Sequence, residues 1–190
     1  MGVAAPAGLG ERLLAAYAEP QRRYHTRQHL GECIGHFESA SDLARHPGEV
    51  EIALWFHDAI YEPKGQGNEL KSADWAANEL AAAGLPAQAG ERVHALVMAT
   101  RHAVLPESDD EQLLVDVDLS ILGADAGRYA EYAAQVREEY AWVPRMIFRH
   151  KRKALLREFL ARESIYATQY FRERLETRAR ENIENEIQQL

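Results

Sequence analysis

Apolar side chains recur along this chain at intervals of three and four residues, the period of a helix with one face turned inward. Leu13, Leu14 and Tyr17 predict a short helix over about 9 to 18, ended by Pro20. His29, Leu30, Cys33, Ile34 and Phe37 share a second stripe, which predicts a helix from Thr26 to about Ala40, with His25 at its start and His29 four residues on along the same face. Pro47 opens a third, apolar nearly all round through Val50, Ile52, Ala53, Leu54, Trp55 and Phe56 to the doublet His57-Asp58, and such a helix belongs in the centre of a fold. The turn formers of 62 to 68 make a loop, with Asn68 as the expected N-cap of a helix over 69 to 83. Further helices are expected at about 87 to 102, 111 to 122, 125 to 140, 144 to 162 and 164 to 189, the last long and polar. No run alternates with period two for long enough to predict a strand, so the fold class is all-α.

The length of 190 residues fits one domain. A content of 46% hydrophobic and 27% charged residues describes a globular chain with a real core. The formal charge of −8 argues against a surface built to grip a nucleic-acid backbone. A single cysteine, Cys33, favours a reducing cytoplasm and reads as a buried thiol. Nothing approaches the length of an apolar membrane span, and Met1 to Gly10 lacks the pattern of a signal peptide, so a cytoplasmic protein is expected.

Chemistry enters with the doublet. A carboxylate and an imidazole inside an apolar helix need compensating partners, and a cation is the simplest one. His25, His57 and His102 lie at or near helix ends, and Asp116 and Asp118 interrupt a later apolar run. Imidazole and carboxylate aimed at one point from several helices suit Mn, Fe, Co, Ni or Zn as divalent ions better than calcium.

His25, the doublet His57-Asp58 and the distant Asp118 in Asp-Val-Asp-Leu resemble the H…HD…D signature of the HD superfamily of metal-dependent phosphohydrolases. The phrases Tyr24-His25-Thr26-Arg27-Gln28-His29-Leu30, Trp55-Phe56-His57-Asp58-Ala59-Ile60-Tyr61, Asn68-Glu69-Leu70-Lys71-Ser72-Ala73, Ile165-Tyr166-Ala167-Thr168 and Ala179-Arg180-Glu181-Asn182-Ile183 are similar to a subgroup of small predicted HD phosphohydrolases, over about residues 20 to 185. The resemblance implies a single-domain HD-type helical bundle over 1 to 190, with the HD core over about 20 to 125, C-terminal helices over about 125 to 189, and the last of these long. It also implies His25, His57, Asp58 and Asp118 as metal ligands, with Asp116 the rival for the last place. One ion is expected rather than two; His29 and His102 are candidates for a supporting role or a second metal. Asp58 would orient water, and Glu69 is the candidate general base or supporting carboxylate. Lys64, Lys71, Arg101, Arg149 and Arg152 are candidates for binding phosphate, although the basic cluster at 145 to 153 also suits a solvated face paired with Glu138, Glu139 and Glu158. The expected partner is a small phosphorylated molecule, a nucleotide above all, with no nucleic acid or membrane and with a homodimer seam open to the C-terminal helix. Two other functions are consistent with the same residues: a silent module that senses a nucleotide, and a di-iron oxygenase of HD fold.

Overall fold

In a computed structural model, which describes residues 6–102 and 104–190, every regular element among the described residues is helical. Residues 1–5, the head of the stretch read for a signal peptide, lie outside the described residues. The chain forms two compact units, residues 1–117 and 118–190.

The first unit holds α1 (Leu9–Ala16), α2 (Arg27–Glu38), α3 (Pro47–Phe56), α4 (Asn68–Ala82), α5 (Ala87–Ala99) and α6 (Asp109–Asp118), whose last turn straddles the division. The expected central helix is central: α3 packs on α2, α4 and α5, and α4 lies along α5. Val50, Ala53 and Leu54 are fully buried, as a helix apolar on all sides requires. Pro47 stands in its first turn, where a missing N–H costs nothing.

Helix ends moved where capping was misread. Thr26 is the N-cap of α2, its hydroxyl accepting from the Gln28 N–H at 3.3 Å, which leaves His25 outside the helix. Asn68 is not the cap of α4; Gly67 holds that position with φ of 70°. The Asn68 side chain turns back to close its own loop, donating to the Glu62 carbonyl at 3.1 Å and accepting from the Glu62 N–H at 3.3 Å. Helix α5 ends at Ala99, so His102 lies beyond it with φ of 52°.

The second unit holds a 3₁₀ turn over Leu119–Gly123, α7 (Ala126–Glu139), α8 (Arg145–Ala161) and α9 (Gln169–Gln189). Helix α9 starts later than the polar pattern suggested, since the segment from Ser164 to Thr168 is not helical. Nor is α9 only a solvent-facing cover: Phe171, Leu175, Ala179, Asn182, Ile183 and Glu186 are buried along one face. The 3₁₀ turn sits directly on it. A Cβ on Gly123 would lie 2.6 Å from that of Leu175, so only glycine fits this approach. Asn182 donates to the Leu122 and Ala124 carbonyls at 2.9 Å each, and the Tyr166 hydroxyl donates to the Leu119 carbonyl at 3.1 Å.

Candidate metal centre

Three side-chain atoms converge beside the end of α3. His57 is the C-cap of that helix, and its Nδ1–H donates to the Leu54 carbonyl at 2.7 Å. That bond fixes the ring so that Nε2 points away from its own helix with a lone pair to offer. His29, in the first turn of α2, brings its Nε2 to 3.1 Å from the Nε2 of His57. Asp58 Oδ2 lies 3.0 Å from His57 Nε2 and 3.5 Å from His29 Nε2. Two ligands at about 2.1 Å from one ion stand roughly 3.0 Å apart when cis in an octahedron and roughly 3.4 Å apart in a tetrahedron. The three separations bracket those values, so these donors can meet at one metal ion.

Two more groups adjoin them. Asp118, the last residue of α6, and Cys33 each bring a ligand atom into a group with His29 and His57 whose members all lie within 4.8 Å of one another. This group can hold a metal ion. Cys33 follows His29 by one turn on the same face of α2, and the spacing that suggested a merely buried thiol also aims it here. Its Sγ stands 3.7 Å from His29 Nδ1 and 3.8 Å from Nε2. Being equidistant from both nitrogens, the sulfur faces the flank of the ring and not the lone pair of Nε2. Asp58 lies outside that group of four, but its Oδ2 is as near to the two Nε2 atoms as a third donor on one ion needs to be. Asp116 is fully buried but outside the group, since two positions along a helix turn a side chain to nearly the opposite side.

His25, expected as the first ligand, is not in the group. Because it precedes the cap of α2, the i+4 relation that would put it over His29 does not operate. Its half-buried ring stacks on Tyr61 with centroids 4.1 Å apart and stands 5.9 Å from the ring of His29. His29, expected in a supporting role or at a second metal, is 2% exposed and at the heart of the cluster.

The charge at Asp58 is set by its neighbours. Burial opposes ionisation, but the imidazoles of His57 and His25 and hydrogen bonds from His29 and His57 outweigh it and hold the carboxyl well below the usual range.

What joins these segments is a residue whose role the sequence did not announce. Arg22 is buried, and its guanidinium donates to the carbonyls of His25 at 3.1 Å, Asp58 at 2.7 Å and Ala59 at 3.1 Å, as well as to Glu19 Oε2 at 3.1 Å. It lies over the rings of Tyr17 and Tyr61, 5.2 and 5.4 Å from their centroids. The Tyr17 hydroxyl accepts from the Asp58 N–H at 3.3 Å. On the other side, the buried Ser72 hydroxyl of α4 accepts from the Ile60 N–H at 3.0 Å. A planar fork with several donors is the group best suited to tying one loop to another. The Pro20-Gln21-Arg22 stretch before the histidine phrase was the available signal.

The other expected residues are more scattered. Glu69 is half-buried in the first turn of α4, three residues before Ser72. His102 is half-buried, and Lys64, Lys71 and Arg101 are exposed. Arg149 and Arg152 belong to the second unit. Arg149 is exposed, but Arg152 is not a phosphate ligand: it is buried, with Nε and Nη2 at 2.8 and 3.0 Å from the two carboxylate oxygens of Glu186. Comparison of the chain with protein-family models, curated proteins and solved structures finds no match. The resemblance to the HD superfamily therefore rests on the motif residues themselves.

Proposed function

We propose that this chain is a metal-dependent phosphohydrolase of the HD type, acting on a phosphate ester or anhydride of a small molecule, with nucleotides the favoured class. The observation that carries this reading is the convergence of His29 Nε2, His57 Nε2 and Asp58 Oδ2 at cis-ligand separations. His29, His57 and Asp58, with Asp118, would hold the ion. When bound, a divalent ion here supplies Lewis acidity toward a phosphoryl oxygen and acidifies water.

The protein groups divide the remaining work. Asp58, whose Oδ2 stands beside both imidazole nitrogens, would hold the ion and orient water. Proton removal then falls to Glu69, whose turn of α4 is anchored through Ser72 to the segment that follows Asp58. His25, half-buried and outside the ligand group beside His29, is placed to deliver a proton to the leaving oxygen.

Metal content and phosphate release test this together. Wild-type protein given Mn, Co, Ni or Fe as divalent ions should release phosphate from at least one nucleotide. His29→Ala and His57→Ala should lose both metal and activity, and His25→Ala should keep the metal while losing activity. Protein that binds metal and stays silent across a broad panel of phosphate esters overturns the proposal, and metal loss in His25→Ala overturns the division of roles.

A further inference from the structure

The sequence has one stretch whose charge runs against the rest. From Tyr140 to Arg157, 18 residues contain no aspartate or glutamate, and they carry six of the 22 lysines and arginines of a chain with net charge −8. This stretch is the turn before α8 and most of α8 itself. The inner face of the helix is settled: Phe148, Arg152, Leu156 and Phe159 are buried, and Arg152 spends its charge on Glu186.

The other five cations are differently placed. Arg145, Arg149, Lys151 and Arg157 are exposed and Lys153 is half-buried, and none of the five side chains makes a hydrogen bond or ion pair among the described residues. Amid these cations stand apolar side chains that a water-facing helix has no use for. Met146 is 83% exposed, Trp142 51%, Ile147 49% and Leu155 44%. Apolar knobs within a collar of unneutralised cations are the chemistry of a helix lying in the interface of an anionic bilayer.

We infer that the outer face of α8, with Trp142 before it, docks on membranes rich in anionic glycerophospholipid. The cations meet lipid phosphates while Met146, Ile147 and Trp142 enter the boundary with the acyl chains. Other occupants fit less well. A nucleic-acid backbone matches the cations but offers nothing to Met146 and Ile147. A two-fold contact with a second copy would set this basic face against itself. Helix α8 does not cross the bilayer, since no helix among the described residues is long and apolar enough.

The test is flotation of the whole protein with vesicles of phosphatidylcholine alone and with vesicles containing roughly 30% phosphatidylglycerol. Binding to the anionic vesicles should be at least about tenfold stronger, and should weaken as salt shortens the Debye length from roughly 10 Å. Trp142→Ala/Met146→Glu and Arg149→Glu/Lys151→Glu should each abolish it; all four positions are at the surface, so both variants should fold. Equal binding to both vesicle types, binding to neither, wild-type binding by both variants, or stronger binding to a DNA duplex than to anionic vesicles would overturn the inference. It rests on α8 alone and stands or falls separately from the metal centre.

Discussion

Replacing Arg22 with methionine keeps the length and the packing of the side chain and removes its charge and donors. Three carbonyl oxygens, those of His25, Asp58 and Ala59, lose a charged partner where the guanidinium is 3% exposed. Leaving one buried acceptor unsatisfied costs about 1–3 kcal/mol, and the three share one donor group, so their costs do not simply add. A total of about 3–5 kcal/mol is expected, the range seen when one member of a buried charged network is removed. Unfolding in urea followed by circular dichroism measures it, and the metal-free protein is the right material because no ion then holds the segments together. The same change should weaken metal binding by about 10–100-fold, the usual effect of removing a group that orients ligands. Both the His25 segment and the turn carrying Asp58 hang from this guanidinium. Arg22→Met protein as stable as wild type to within about 1 kcal/mol would refute the reasoning, because it would show that water or neighbouring groups satisfy those carbonyls equally well.

Tyr17 and Glu186 provide two further predictions. Burial pushes the Tyr17 phenol up to about 12, with His57 pulling the other way. The unfolded chain ionises this group near 10, so its contribution, roughly 2–3 kcal/mol, is complete below that pH and disappears as pH climbs to about 12. Urea titrations at a series of alkaline pH values should show a shallower fall for Tyr17→Phe than for wild type; parallel curves would contradict the assignment. In the second unit, Arg152→Met should destabilise by about 3–5 kcal/mol, since it leaves the buried Glu186 carboxylate without its cation and with the Tyr129 hydroxyl, 2.6 Å from Oε2, as a remaining donor. Arg152→Met/Glu186→Leu should recover most of that loss in the same urea assay, and a double variant no better than the single one would contradict it.

Much of the fold was legible in the chain because helical periodicity is a local property. The stripe from His29 to Phe37 and the all-round apolar run from Val50 to Phe56 both became helices, the second at the centre of its unit. The errors lie at the ends. Asn68 has the side chain of a cap and uses it to close the preceding loop, a choice that Gly67 made possible by adopting a left-handed backbone. Thr26 did cap α2, and by doing so removed His25 from the face on which the expected ligand set depended.

The sequence by itself determined that the protein is helical, that an apolar helix ends in a histidine and an aspartate, and that imidazole and carboxylate are available to meet them. Hydrophobic period and capping residues decide such things within a few turns of chain. Which histidine meets His57 took packing as well as the cap: Thr26 leaves His25 outside α2, and the packing of α2 on α3 brings His29 Nε2 to 3.1 Å from that of His57. The same holds for Arg22, to which the sequence assigned no role, and for Arg152, a candidate for binding phosphate. A guanidinium is long enough to reach partners remote in sequence, so Arg22 became the tie between two loops and Arg152 the buried mate of Glu186. Spacing along a chain says which face a side chain occupies; only packing says what stands opposite.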